Sequence, residues 1–93
     1  MTDFLVISGI DLRVIEQLKK EPSIIYDLYC NKEECIKIIR LLKMLGIKNI
    51  NELILYKTRL FLKTKDEILE FFNKNNLVDL VNMDINNIDI IFE

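Results

Sequence analysis

The side chains with most scope for chemistry are cationic, and they are clustered. Between Cys35 and Lys65 lie Lys37, Arg40, Lys43, Lys48, Lys57, Arg59, Lys63 and Lys65 against Glu52 alone, a net of +7 in a chain of net charge −2. Lysines and arginines at this density neutralise phosphate, and an arginine can also hold a base edge in a two-pronged hydrogen bond. The rest of the chain carries −9, and beyond Lys74 the only charged side chains are Asp79, Asp84, Asp89 and Glu93. Taken singly, each cation reads better as an ordinary solvated residue. It is the polarisation along the chain that points to an anionic partner.

Other chemistry is poorly supplied. There is no histidine, there are two glycines, and the only serines are Ser8 and Ser23. Neither a nucleophile–base pair nor a glycine-rich phosphate loop can be assembled from these by sequence, so no catalytic residue and no cofactor is expected. The acidic pairs Glu33–Glu34 and Asp66–Glu67 fall where helices begin, and the helix dipole accounts for them there. Cys30 and Cys35 are five apart, with no histidine and no second cysteine pair to complete a zinc site. They read as small apolar residues in a reduced compartment, and no metal is expected.

These side chains must be positioned by one small domain. Ninety-three residues suffice for a single core, and 51% hydrophobic with 30% charged residues excludes a disordered chain. No apolar run approaches the ~20 residues of a membrane helix, and the first residues lack the basic start and long apolar stretch of a signal peptide. A cytoplasmic protein is the expectation.

The centre of the domain is predicted at residues 31–46, NKEECIKIIRLLKMLG. Asn31 is placed as N-cap, Glu33 and Glu34 complement the dipole, and Gly46 suits the left-handed closing position. Only a narrow strip, Glu33, Lys37, Arg40 and Lys43, stays polar, so the helix is expected to be buried over most of its circumference. Before it, Asp11 caps a helix carrying Leu12, Ile15 and Leu18. Pro22 then ends that helix and opens a shorter one through Cys30. Residues 1–8 read as a strand or a strap. Residues 51–63 have two readings. One is a hairpin of NELILY and RLFLK with Lys57-Thr58 at its turn, the other a single helix from about 51 to 62; the hairpin is preferred. Thr64-Lys65-Asp66-Glu67 is a capping box opening a helix with Ile68, Leu69, Phe71 and Phe72 inward. A short last helix follows at 77–83. The tail 86–93 alternates like an edge strand able to pair with residues 4–7. Ile47-Lys48-Asn49-Ile50 and Ile85-Asn86-Asn87-Ile88 share the pattern I-x-N-I, with Gly9-Ile10 a possible earlier start. Their spacing of about 37 residues lies in the range of helical repeats.

The stretches VIEQLKKEPSIIYDL (14–28), KEECIKIIRLLKMLGI (32–47) and RLFLKTKDEI (59–68) together resemble a winged helix-turn-helix domain, with only Tyr29, Cys30 and Asn31 between the second and third helices. The resemblance implies a mainly α, α+β fold: a three-helix core with a β-hairpin wing over 11–63, and C-terminal helices and tail over 64–93. It further implies a DNA-binding transcriptional regulator. The third helix would enter the major groove with Lys32, Lys37, Arg40 and Lys43, and Lys57 and Arg59 would sit at the wing tip. Arg40→Ala and Lys37→Ala are expected to weaken DNA binding without unfolding the domain. Phe71, Phe72, Leu77, Leu80 and Val81 are candidates for a homodimer interface, or else complete the monomer core. The alternative function is a protein-interaction module, winged-helix-like or of helical-repeat fold, whose basic face meets an acidic protein partner.

Overall fold

The computed structural model describes residues 1–75 and 77–89. Along the described chain run α1 (Asp3–Ile7), α2 (Leu12–Leu18), α3 (Pro22–Cys30), α4 (Lys32–Leu45) and α5 (Ile50–Tyr56), then a first 3-10 helix (Thr58–Leu62), α6 (Lys65–Asn75), α7 (Val78–Met83) and a second 3-10 helix (Ile85–Ile88). Among the described residues there is no strand. The α+β winged-helix expectation is therefore corrected to an all-helical fold. Residues 51–63 form α5 and a 3-10 helix in place of a wing, so Lys57 and Arg59 are not at a hairpin tip. Residues 4–7 lie inside α1, and 86–88 lie inside the second 3-10 helix, so the proposed edge pairing is absent; residues 90–93 of that tail fall outside the described residues.

The hairpin fails for a packing reason. In a strand, Leu60 and Phe61 would point to opposite faces. Both are buried here, Phe61 fully, while Leu62 is half exposed. A 3-10 turn, advancing about 120° per residue, brings neighbours inward together and aligns i with i+3. The Thr58 hydroxyl helps to close α5 by donating to the carbonyls of Ile54 (2.7 Å) and Leu55 (3.3 Å). The chain then re-enters the core at once.

Several local signals hold as read. The Asp11 side chain accepts from the Arg13 amide at 2.9 Å. Pro22 occupies the first turn of α3. The Thr64 hydroxyl accepts the Glu67 amide and itself donates to the Glu67 carboxylate. Asn31 does not cap α4. Its amide reaches away and donates to the carbonyl of Phe61 at 3.2 Å, tying the first 3-10 helix to the start of α4.

α4 is the central helix. It buries Cys35, Ile38, Ile39, Leu41 and Leu42 and packs against α1, α3, α5, α6 and the first 3-10 helix. Around it the chain repeats a unit. α1 and α4 end in the same way, on Gly9 at φ +88° and Gly46 at φ +91°. In each case the amide of the residue after the glycine reaches five residues back (Ile10 to Leu5, Ile47 to Leu42, both 3.0 Å) and the glycine amide reaches three back (Gly9 to Val6, Gly46 to Lys43). This is the Schellman closure, and a side chain with Cβ is strained at such φ. A Gly-Ile step then leads into a seven-residue helix, α2 or α5.

Equivalent parts stack: α1 on α4, and α2 on α5. Their ends are tied by hydrogen bonds, Lys43 Nζ to the Ser8 carbonyl (2.6 Å) and the Asp11 amide to Asn51 Oδ1 (2.7 Å). α7 is joined to the turn after α4 by side-chain hydrogen bonds. The Asn82 side chain donates to the Gly46 carbonyl and accepts from the Lys48 amide, bridging the turn after α4 with both ends of its amide. The I-x-N-I recurrence does not mark equivalent positions, since 47–50 links α4 to α5 whereas Ile85–Ile88 is itself the second 3-10 helix.

The candidate dimer residues mostly belong to this core. Phe72, Leu77 and Val81 are buried within the single chain, Phe71 is half buried against it, and Leu80 alone is exposed. The cysteines separate as well. Cys30 is exposed, while Cys35 is fully enclosed and burial pushes its thiol up to about 12. Since the thiolate is the reactive form, an alkylating reagent at mildly alkaline pH is expected to label one thiol in the folded protein and both after denaturation, by mass spectrometry. Double labelling of the folded protein would place Cys35 outside the core.

Candidate anion-binding cleft

The end of α5, the first 3-10 helix, α3 and the second 3-10 helix enclose a cleft of about 600 Å³. Its apolar side is made by Ile24, Leu55, Leu60 and Ile88. The i, i+3 alignment of the 3-10 turn sets Lys57, Leu60 and Lys63 in one row, with the Leu60 amide bonded to the Lys57 carbonyl (3.0 Å) and the Lys63 amide to the Leu60 carbonyl (3.4 Å). Leu60 fills the middle of this row while the two lysines reach the cleft, and Arg59 joins them from the adjacent position. Tyr56, the last residue of α5, stands at the margin with 67% of its surface exposed.

One carboxylate enters this cationic group. Lys57 Nζ lies 2.7 Å from Asp89 Oδ2, the lysine side chain 19% exposed and the aspartate 48%. This is the shortest of the ion pairs between described side chains and the one whose lysine is most buried. Arg59 makes no ion pair with a described residue and is exposed. The cleft therefore combines three cations, one carboxylate, an apolar floor and an aromatic edge. It can hold a ligand that is anionic at one end and flat and apolar at the other.

The cations predicted on α4 fall elsewhere, and none of them lines this cleft. Lys32 lies 4.5 Å above the Tyr29 ring in a cation–π contact. Lys37 is 3.7 Å from Glu34, whose carboxylate also accepts the Lys65 amide. Lys43 is committed to the Ser8 carbonyl. Of these four, Arg40 is the one exposed without a partner among the described residues. The single positive stretch of sequence is thus two surfaces: a thin, partly neutralised edge on α4 and a concentrated cleft beside the first 3-10 helix.

Sequence reasoning selected Lys57 and Arg59 and missed Lys63, Tyr56 and Asp89 as their companions. The row of Lys57, Leu60 and Lys63 was available as an i, i+3 spacing once the segment is read as 3-10. Asp89 lies 32 residues from Lys57, and no local signal links the two. Among the described residues no group of three or more metal-ligating side chains occurs, and no helix is long and apolar enough to cross a membrane. Compared with protein families, curated proteins and solved structures, the chain matches none.

Proposed function

We propose that this protein binds nucleic acid, and that the cleft beside the first 3-10 helix is the contact surface. The observation that carries the reading is the convergence of Lys57, Arg59, Lys63 and the exposed Tyr56 on one apolar-floored cleft. Arg59 has the geometry for phosphate, since its planar guanidinium offers parallel N–H donors to two oxygens. Lys57 and Lys63 add positive potential as compact charges. The overall charge of −2 does not oppose this, because many of the carboxylates do not line the cleft, among them Asp66, Glu67 and Glu70 on α6, Asp79 on α7 and Asp84 after it.

The test is fluorescence anisotropy with a labelled random-sequence oligonucleotide at ~50 and ~200 mM salt, where each phosphate contact should cost about threefold in affinity, because binding releases counterions. Saturable binding with that salt dependence, displaced by unlabelled nucleic acid but not by polyglutamate, supports the proposal. Absence of binding at the lower salt overturns it. Equal displacement by polyglutamate assigns the cations to an acidic protein partner instead.

A further inference from the structure

We infer that the ligand of this cleft is a single strand, with one unstacked base seated against the apolar floor, rather than a duplex. The inference rests on the nucleic-acid reading above and specifies the form of nucleic acid. A duplex offers a convex cylinder of phosphates with its bases paired inside. A protein reads it by inserting a projecting element into a groove about 12 Å wide. Here the cations line one side of a concavity of about 600 Å³, and they are carried by a 3-10 turn packed onto the core. A paired base cannot leave the stack to enter that space without unpairing, whereas a single strand presents its bases already splayed.

The composition of the cleft follows the same logic. Leu60 and Ile88 close the bottom of the cleft as part of the core, and the half-buried Ile24 and Leu55 are the side chains that leave apolar surface open to a flat group, a surface that phosphate contacts alone would not use. Tyr56 ends α5 at the margin with most of its ring in solvent. An exposed aromatic beside a cationic row is the arrangement on which successive bases stack in single-strand binding. Asp89 holds the Lys57 ammonium at 2.7 Å, which leaves Arg59 to take the phosphate joined to the seated base.

The experiment compares one labelled strand as DNA, the same sequence as RNA, and the DNA annealed to its complement, all with the full chain at ~50 mM salt. Either single strand should bind at least about tenfold tighter than the duplex, the tighter of the two naming the sugar. Tyr56→Ala should lower single-strand affinity about tenfold or more, the usual loss for removing one stacking side chain, and Tyr56→Phe should retain it. The wild-type tyrosine emission should be quenched by the strand, and that quenching should be reduced in Tyr56→Phe. Circular dichroism of the variants checks that an exposed position has not unfolded the chain. Duplex binding as tight as single-strand binding, or a Tyr56→Ala variant that binds like the wild type, overturns the inference while leaving the nucleic-acid proposal standing. No binding of any of the three overturns both.

Discussion

Phe61→Ala is expected to lower the stability of the domain by about 3–5 kcal/mol, the usual cost of truncating a fully buried aromatic side chain. A domain of this size commonly has only about 5–15 kcal/mol in total. Phe61 is completely enclosed, and it sits in the 3-10 segment that packs against α3, α4 and α5 at once. Its loss would leave a cavity where three helices meet. Relaxation to fill it is restricted, because the Phe61 carbonyl is held by the Asn31 side chain. Leu62, half exposed, supplies the internal control. Leu62→Ala should cost clearly less, about 1–2 kcal/mol, because that side chain keeps more than a third of its surface in solvent and leaves no enclosed cavity. Urea denaturation followed by circular dichroism measures both. Comparable losses at the two positions would mean that the segment does not turn Phe61 inward and Leu62 outward.

Arg59→Ala is expected to weaken nucleic-acid binding by about tenfold or more, since a hydrogen-bonded charged contact contributes roughly 1.5–3 kcal/mol. It should also reduce the salt slope by about one, the signature of a lost phosphate contact. Stability should hardly change, because Arg59 is exposed and unpaired among the described residues. Asp89→Asn should act in the opposite direction, raising affinity by removing a carboxylate that occupies Lys57. Arg40→Ala and Lys37→Ala are the comparison on α4. The sequence alone gives them the same standing as Arg59, yet the structure places them away from the cleft, with Lys37 already beside Glu34. Anisotropy titrations of the four variants decide the matter. If the α4 variants lose affinity and Arg59→Ala does not, binding runs along α4 and the cleft is not the site.

How far the residues themselves foretold this fold depends on the range of the interaction involved. Asp11 capping α2, Pro22 opening α3, the Thr64–Glu67 box and the Gly46 closure were all legible, because each is settled within one turn of helix. The burial of α4 was legible too, since its apolar residues cover most of a circumference that periodicity alone defines. The excess of lysine and arginine in the middle of the chain was likewise plain from composition.

Tertiary structure decided the rest. Consecutive Leu60, Phe61 and Leu62 satisfy a strand or a helical turn about equally well by local preference. A one-sided core that takes both Leu60 and Phe61 selects the 3-10 form. Asn31 is a good cap by residue type, but the Phe61 carbonyl, 30 residues away, competes for its side chain and holds it. The division of one basic stretch into a neutralised edge and a cationic cleft depends on Ser8, Glu34 and Asp89, each in contact with a different lysine. Two of those three partners are more than thirty residues distant in sequence. What lies within a helical turn was set by the order of the residues. The cleft was set by which distant turns the shared apolar core brought together.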